Sequence, residues 1–248
     1  MLVGQACSDS DDAGTPPEIP PTASMQMNYD ELPSQSQQPK ALTSNNVNVA
    51  YFSAVAASLI LEANLAIPKA LLVGAQNNSP TYMGDGEWEW EYSASGPEGS
   101  YSVRLTALVD NNNNVEWNFY VSADNGQVTW DDVRLFSGTS TLDGTEGSWS
   151  IYRPIQGGVA TTTTWMVTDE TTDIEMTVYN SSDEVEATVA YSLNGTTKVI
   201  TFENLSDDTE TTIQWDTETK VGFIISTDYN NGQQACWDEN FEDVACTS

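Results

Sequence analysis

Carboxylates are the commonest reactive groups in this chain. Asp131-Asp132, Asp169-Glu170, Asp183-Glu184 and Asp207-Asp208 each set two side by side. Glycoside hydrolysis needs two carboxyl groups roughly 5–10 Å apart across a cleft, one of them kept protonated by its surroundings. Here the pairs fall mostly in turn sequences, where solvated acids are the ordinary occupants, so none is assigned a catalytic role. The 248 residues contain no histidine. That excludes a Ser-His-Asp triad, a Cys-His pair and every His-ligated metal site. Asp110 to Asn114 and Asp124-Asn125-Gly126 offer hard oxygens of the kind calcium takes. Neither has the spacing or the terminal bidentate Glu of an EF-hand loop. No metal or other cofactor is expected.

Aromatic residues are the stronger lead. Trp88, Trp90, Tyr92, Trp117 and Phe119 recur at every second position in two segments. Joined by a simple meander, these segments would be two adjacent strands that put the five rings on one sheet face. Turned into a barrel, that face lines a pocket for an apolar or amphiphilic ligand. Turned outward, it offers stacking platforms for sugars. Covered by a helix, it is core, the commonest fate of large aromatics. The five are the candidate ligand-binding residues.

The elements that must position them follow from periodicity. From residue 87 onward apolar and polar residues alternate. Val103-Leu105-Ala107-Val109, Val115-Trp117-Phe119-Val121, Ile174-Met176-Val178, Val185-Ala187-Val189-Tyr191 and Val221-Phe223-Ile225 each share a face, as half-buried strands do. Turn sequences divide them, among them Asp143-Gly144, Asn180 to Asp183, Asn194-Gly195 and Ser206 to Asp208. Asn-Gly suits a two-residue hairpin because both positions tolerate positive φ. Residues 134–153, with three glycines, read as a hairpin with a bulge. Ten or eleven strands with short connections predict a mainly β fold: an antiparallel up-and-down meander, closed into a barrel or left as a half-barrel.

Before the strands, Val47, Tyr51, Phe52, Val55, Leu59, Ile60 and Leu61 recur at helical spacing in an Ala-rich background. Residues 45–75 are expected to form an apolar helix packed on the sheet, broken near Pro68. Glu62, Asn64 and Pro68 interrupt the run too soon for the ~20 apolar residues of a membrane span. Residues 8–44 are rich in Pro, Ser, Gln and Asp, with Thr15-Pro16-Pro17-Glu18-Ile19-Pro20-Pro21 at their centre. They read as a disordered tether, followed by a single β-rich domain over 45–248.

Ahead of that tether, Met1-Leu2-Val3-Gly4-Gln5-Ala6 lead into Cys7 and then Ser8-Asp9-Ser10-Asp11-Asp12. A small residue, a cysteine and a polar acidic stretch resemble the start of a bacterial lipoprotein. The resemblance covers only about the first twelve residues. It implies lipidation of Cys7 and attachment to a membrane of the cell envelope, the outer membrane among them, with the domain periplasmic or surface-exposed. The six residues before Cys7 are too few for a complete signal peptide, so residues 1–7 read as its remnant and the true start codon is expected upstream. Setting Cys7 aside leaves Cys236 and Cys246, an even pair suited to a disulfide in an oxidising compartment.

The formal net charge is -30, from 37 acidic and 7 basic residues. Such a field repels nucleic acid, and the scattered Lys and Arg form no basic patch. It also fits a protein that stays soluble in salty surroundings. The expectation is an anchored, non-enzymatic binding protein for an apolar or amphiphilic ligand. Its architecture would resemble the helix-covered half-barrels of periplasmic lipid or lipoprotein carriers, or a lipocalin-type barrel. A surface glycan-binding module and a carboxylate-based glycan hydrolase are the alternatives.

Overall fold

A computed structural model describes residues 14–28, 32, 45–96, 99–124, 129–154 and 157–246. Cys7, the expected lipidation site, lies outside the described residues. One helix, α1 (Asn45–Gln76), is followed by fourteen strands. They are β1 (Thr81–Gly84), β2 (Glu87–Gly96), β3 (Gly99–Val109), β4 (Asn114–Asp124), β5 (Thr129–Thr141), β6 (Glu146–Tyr152) and β7 (Val159–Val167). Then come β8 (Thr171–Tyr179), β9 (Val185–Asn194), β10 (Thr197–Asn204), β11 (Thr209–Asp216), β12 (Gly222–Ser226), β13 (Ala235–Trp237) and β14 (Asp243–Val244).

All fourteen form one sheet in sequence order, each pairing antiparallel with the next. Among the described residues β1 and β14 do not pair, so the meander stays open. The open form of the expected fold is the one observed. It has more strands than the ten or eleven expected, because β1, β13 and β14 are too short to show alternation. α1 touches β2 near one end of the sheet and β11 to β14 at the other. A single helix can meet both ends only if the sheet curls round it.

The register explains how the inner face fills. One row across the sheet reads Trp88, Ala107, Trp117, Gly138, Trp149, Thr163, Met176. Large and small residues alternate, so each indole spreads over a neighbour with little or no side chain, as close packing at interior density requires. A Cβ on Gly138 would lie 2.0 Å from the Ser148 carbonyl oxygen and 2.4 Å from the Trp149 ring. The device recurs where Gly147 faces Trp165 and where Gly222 lies between Trp215 and Trp237.

α1 departs from expectation at Pro68, where the helix runs on unbroken to Gln76. Proline removes one backbone hydrogen bond. Leu61 and Leu65 before it and Leu71, Leu72 and Ala75 after it are all buried, and that burial holds the two halves in line. The helix is long and apolar enough to cross a membrane, but only by length and composition. Its inner face is committed to the sheet.

The tether expected over residues 8–44 is also corrected in part. Residues 14–28 lie against the domain as an extended strap with a 3-10 turn at Thr22–Met25. Met25 is 1% exposed, and Pro17 and Pro20 are buried. The strap's 3-10 turn rests on β7, β8 and α1. The Glu18 N–H donates to the Leu142 carbonyl at 3.0 Å, and Gln76 Nε2 donates to the Pro20 carbonyl at 2.9 Å. A proline-rich segment buries too little to fold alone, but a sheet already formed supplies the surface it lacks.

Cys236 and Cys246 are joined by a disulfide, with Cα atoms 5.3 Å apart. It secures the tail against the start of α1. Asn46 Nδ2 donates to the Cys236 carbonyl at 2.8 Å, and the Asn46 N–H donates to Asp243 Oδ1 at 3.1 Å. A carboxylate at a helix N-terminus satisfies an otherwise unpaired N–H and complements the helix dipole.

Candidate functional site

The five candidate aromatics come together on the inner face, though not on neighbouring strands: β3 lies between β2 and β4. Ala107, opposite both Trp88 and Trp117, leaves room for the rings to reach across. Trp90 and Trp117 have centroids 5.8 Å apart, and Phe119 stacks on Phe136 at 3.9 Å. The series continues through Trp149, 5.5 Å from Phe136 and 4.9 Å from Trp165. Trp90, Trp117 and Phe119 are essentially inaccessible, and Trp88 is buried. Tyr92 is half-buried and donates its hydroxyl to the Leu71 carbonyl of α1. Burial holds that phenol protonated well above its ordinary range. These rings are core. Trp88, Trp90, Trp117 and Phe119 offer no exposed platform for sugars, and Tyr92 reaches α1.

Several of the aspartates hold turns shut. The Asp110 carboxylate accepts the N–H groups of Asn112 and Asn114, each at 2.8 Å. The Asn180 side-chain oxygen does the same for Ser182 and Glu184, and Asp238 for Asn240 and Glu242. In all three loops the fourth residue (Asn113, Asp183 or Phe241) has positive φ. This is the three-residue hairpin loop whose last position is left-handed, with an Asx side chain holding it shut. Asp216 and Asp143 hold their own turns similarly. Hydrogen bonds to the charged form pull all four of these aspartates below the usual carboxylate range. For Asp216 the pKa falls to about 2, chiefly through the Thr196 hydroxyl and then the Thr219 N–H. A general acid needs a shift in the opposite direction. The oxygen-rich Asp110 loop, weighed above for calcium, spends its carboxylate on its own backbone. Among the described residues no three Cys, Asp or Glu side chains converge on a metal position.

Of the expected acid pairs, Asp132 is bound by Arg104, whose Nε and Nη2 reach the two carboxylate oxygens at 3.1 and 2.5 Å. Asp183 accepts from Arg153 Nη1 at 3.0 Å. Arg104 also lies 4.2 Å from the centre of the Tyr120 ring, and Arg134 4.7 Å from that of Tyr152. Tyr120 and Tyr152 are thereby capped by cations.

The concavity with the composition of a ligand site lies elsewhere, between α1 and the strap. It is a groove of about 730 Å3, within the usual range for small-molecule sites. Its apolar surface comes from Met25 and Met27 of the strap and from Leu61, Leu65, Ala66 and Val73 of α1. Gln26, Asn28, Ser58, Glu62 and Lys69 supply polar groups. Lys69 Nζ donates to Gln26 Oε1 at 2.6 Å, and Lys198 Nζ donates to Asn28 Oδ1 at 3.1 Å. Two of the chain's seven cations thus hold the strap. The strap's seat is imperfect. Ser24 Oγ, on its 3-10 turn, and Thr163 Oγ1, on the strand it crosses, are buried without a hydrogen-bond partner among the described residues. Each such group costs about 1–3 kcal/mol.

Sequence reasoning missed this groove because it assigned the strap to a tether. The available signal was Met25 and Met27 spaced to share one face of an extended chain, with Ile19 upstream. Searches against protein-family models, curated proteins and solved structures returned no match to this chain.

Proposed function

We propose that this protein is a non-enzymatic, lipid-anchored protein of the cell envelope that holds a single-chain amphiphile between α1 and the Met25–Asn28 strap. The observation that carries this reading is the groove itself: an apolar floor bordered by Lys69, Gln26 and Asn28, in a fold whose remaining interior is filled by indole rings. The apolar tail lies along Leu61, Leu65 and Val73. Its polar head is taken by Lys69 and Gln26, which already exchange a hydrogen bond and can turn it to a ligand at little net cost. The unpartnered hydroxyls of Ser24 and Thr163 weaken the strap's seat and allow it to shift as the tail enters. The Cys236–Cys246 disulfide supports an oxidising compartment, consistent with attachment through Cys7.

Titration with a dansyl-labelled fatty acid tests the reading. Saturable enhancement of dansyl fluorescence is expected. It should be lost in Ala66→Trp, which fills the groove from an exposed position, while the melting temperature stays put. Equal binding by Ala66→Trp and wild type would place the ligand elsewhere or nowhere.

A further inference from the structure

The outer face of the sheet, turned away from α1, carries a trough across β2 to β5. Ser93 of β2, Ser102 of β3 and Ser122 of β4 pair in register and form one row. Alternation places them on the face opposite the buried Trp90, Leu105 and Val121. Neighbouring strands lie about 4.8 Å apart, so the row spans roughly 10 Å. Its small side chains make a floor. The wall is the row two residues along, Glu91, Arg104 and Tyr120. The concavity measures about 540 Å3, and β5 borders it with Asp131 and Asp132. A second hollow of about 430 Å3 shares the three serines and Asp131 and reaches Trp130.

The β5 border is built by irregular pairing. β4 and β5 shift register twice, between Phe119 and Tyr120 and between Val121 and Ala123. Bulges bend a strand and re-aim its side chains. Here they set both Asp131 and Asp132 against the single residue Ser122. Asp132 takes a φ of 51°, a left-handed conformation uncommon outside glycine, and its N–H donates to Ser122 Oγ at 2.9 Å. Arg104 holds the Asp132 carboxylate by two bonds while lying over Tyr120. Guanidinium, carboxylate and ring are thus fixed relative to one another before any ligand arrives, which lowers the ordering cost of binding. Glu91 and Asp131 differ from the turn aspartates. Both are exposed, and among the described residues nothing pairs with their carboxylates.

We propose that this trough binds a neutral oligosaccharide. A sugar ring presents adjacent hydroxyls, each both donor and acceptor. A carboxylate accepts from two of them, a guanidinium donates to two, and a serine hydroxyl does either. The trough brings all three kinds together along its serine floor. Tyr120 and Trp130 add half-buried rings, whose apolar bodies suit the C–H faces of a sugar. Three carboxylates stand there against one guanidinium, so uronic and sulfated sugars are repelled. The floor and wall hold too little apolar surface for an acyl tail. This site lies on the other face of the sheet from α1, so it stands or falls independently of the amphiphile reading.

The test is a printed array of oligosaccharides from β-glucan, mannan, xylan and chitin, with polygalacturonate and dextran sulfate beside them, probed with the full chain. Binding to at least one neutral glycan and to neither anionic polymer is expected. Ser102→Trp fills the floor from an exposed position on β3 and should abolish binding. Asp131→Asn should weaken it about tenfold or more. Both variants should keep the wild-type melting temperature. Thr164→Trp, an equally exposed change on the outer face of β7, should bind as wild type does. The proposal is overturned if no neutral glycan binds, if Ser102→Trp binds as well as Thr164→Trp, or if the anionic polymers bind as well as the neutral glycans. Binding of spermidine that is lost in Asp131→Asn, with no glycan bound, also overturns it and gives the trough to a cation.

Discussion

Gly138→Ala isolates the rule by which the inner face is filled. Elsewhere a Gly→Ala change commonly stabilises a protein by about 0.4–1 kcal/mol, because the unfolded chain loses freedom. At residue 138 the new methyl would stand 2.0 Å from the Ser148 carbonyl oxygen, and backbone cannot rotate away. It would also stand 2.4 Å from the Trp149 ring, which is held between Phe136 and Trp165. Relief requires β5 and β6 to separate locally and two stacked rings to move. Overpacking of a close-packed core costs about 1–3 kcal/mol, occasionally more, and a clash with both backbone and a confined ring belongs at the upper end. For a domain of this size about 3 kcal/mol lowers the melting temperature by roughly 6–12 °C. Thermal unfolding followed by circular dichroism reads this directly. Adding Trp149→Ala should not rescue the variant, because the clash with the Ser148 carbonyl remains. A Gly138→Ala protein that melts within a degree or two of wild type would refute the argument that glycine is required beneath these indoles.

Acid should act through the turn aspartates. Asp110, Asp143, Asp216 and Asp238 have folded-state pKa values below their unfolded ones, so their contribution is complete above about pH 4 and lost as pH falls toward 2. Above that window self-repulsion of the acidic surface grows. Melting temperature should therefore peak between about pH 4 and 5, and a steady rise down to pH 2 would contradict the assignment. At neutral pH added salt should raise the melting temperature by screening that repulsion; a flat or falling response would show that net charge does not limit stability. Replacing Cys236 and Cys246 by serine should cost about 2–3 kcal/mol. Hydrogen exchange should then speed up in the first turn of α1, which Asp243 and the Cys236 carbonyl hold; unchanged exchange there would separate the disulfide from the helix start.

The strand meander was legible because alternation at Trp88-Trp90-Tyr92 and at Val115 to Val121 has one physical meaning, a strand with one face buried. Its openness was not legible, since closure depends on curl and strand count rather than on any local pattern. The five aromatics were correctly grouped on one face. Whether they lined a pocket or filled a core turned on Ala107 and Gly138, small residues on other strands whose partners only the register reveals. Pro68 and the strap misled for a common reason. Local propensity says that Pro68 ends a helix and that Pro16 to Pro21 remain unfolded, whereas contacts with a sheet formed much later in the chain decide both. Three of the four acid pairs lie between strands as expected, whereas Asp131-Asp132 lies within β5. The aspartates that hold backbone N–H groups are others, Asp110, Asp143, Asp216 and Asp238, and loop geometry was needed to see them.

The amphiphile reading is tested most directly by native mass spectrometry of protein purified from its own membrane under mild conditions, repeated after denaturation. The account predicts a mass excess the size of one lipid-like molecule that vanishes on denaturation, and its loss in Ala66→Trp. A native mass equal to the denatured one, with at most a covalent modification on Cys7, would contradict it.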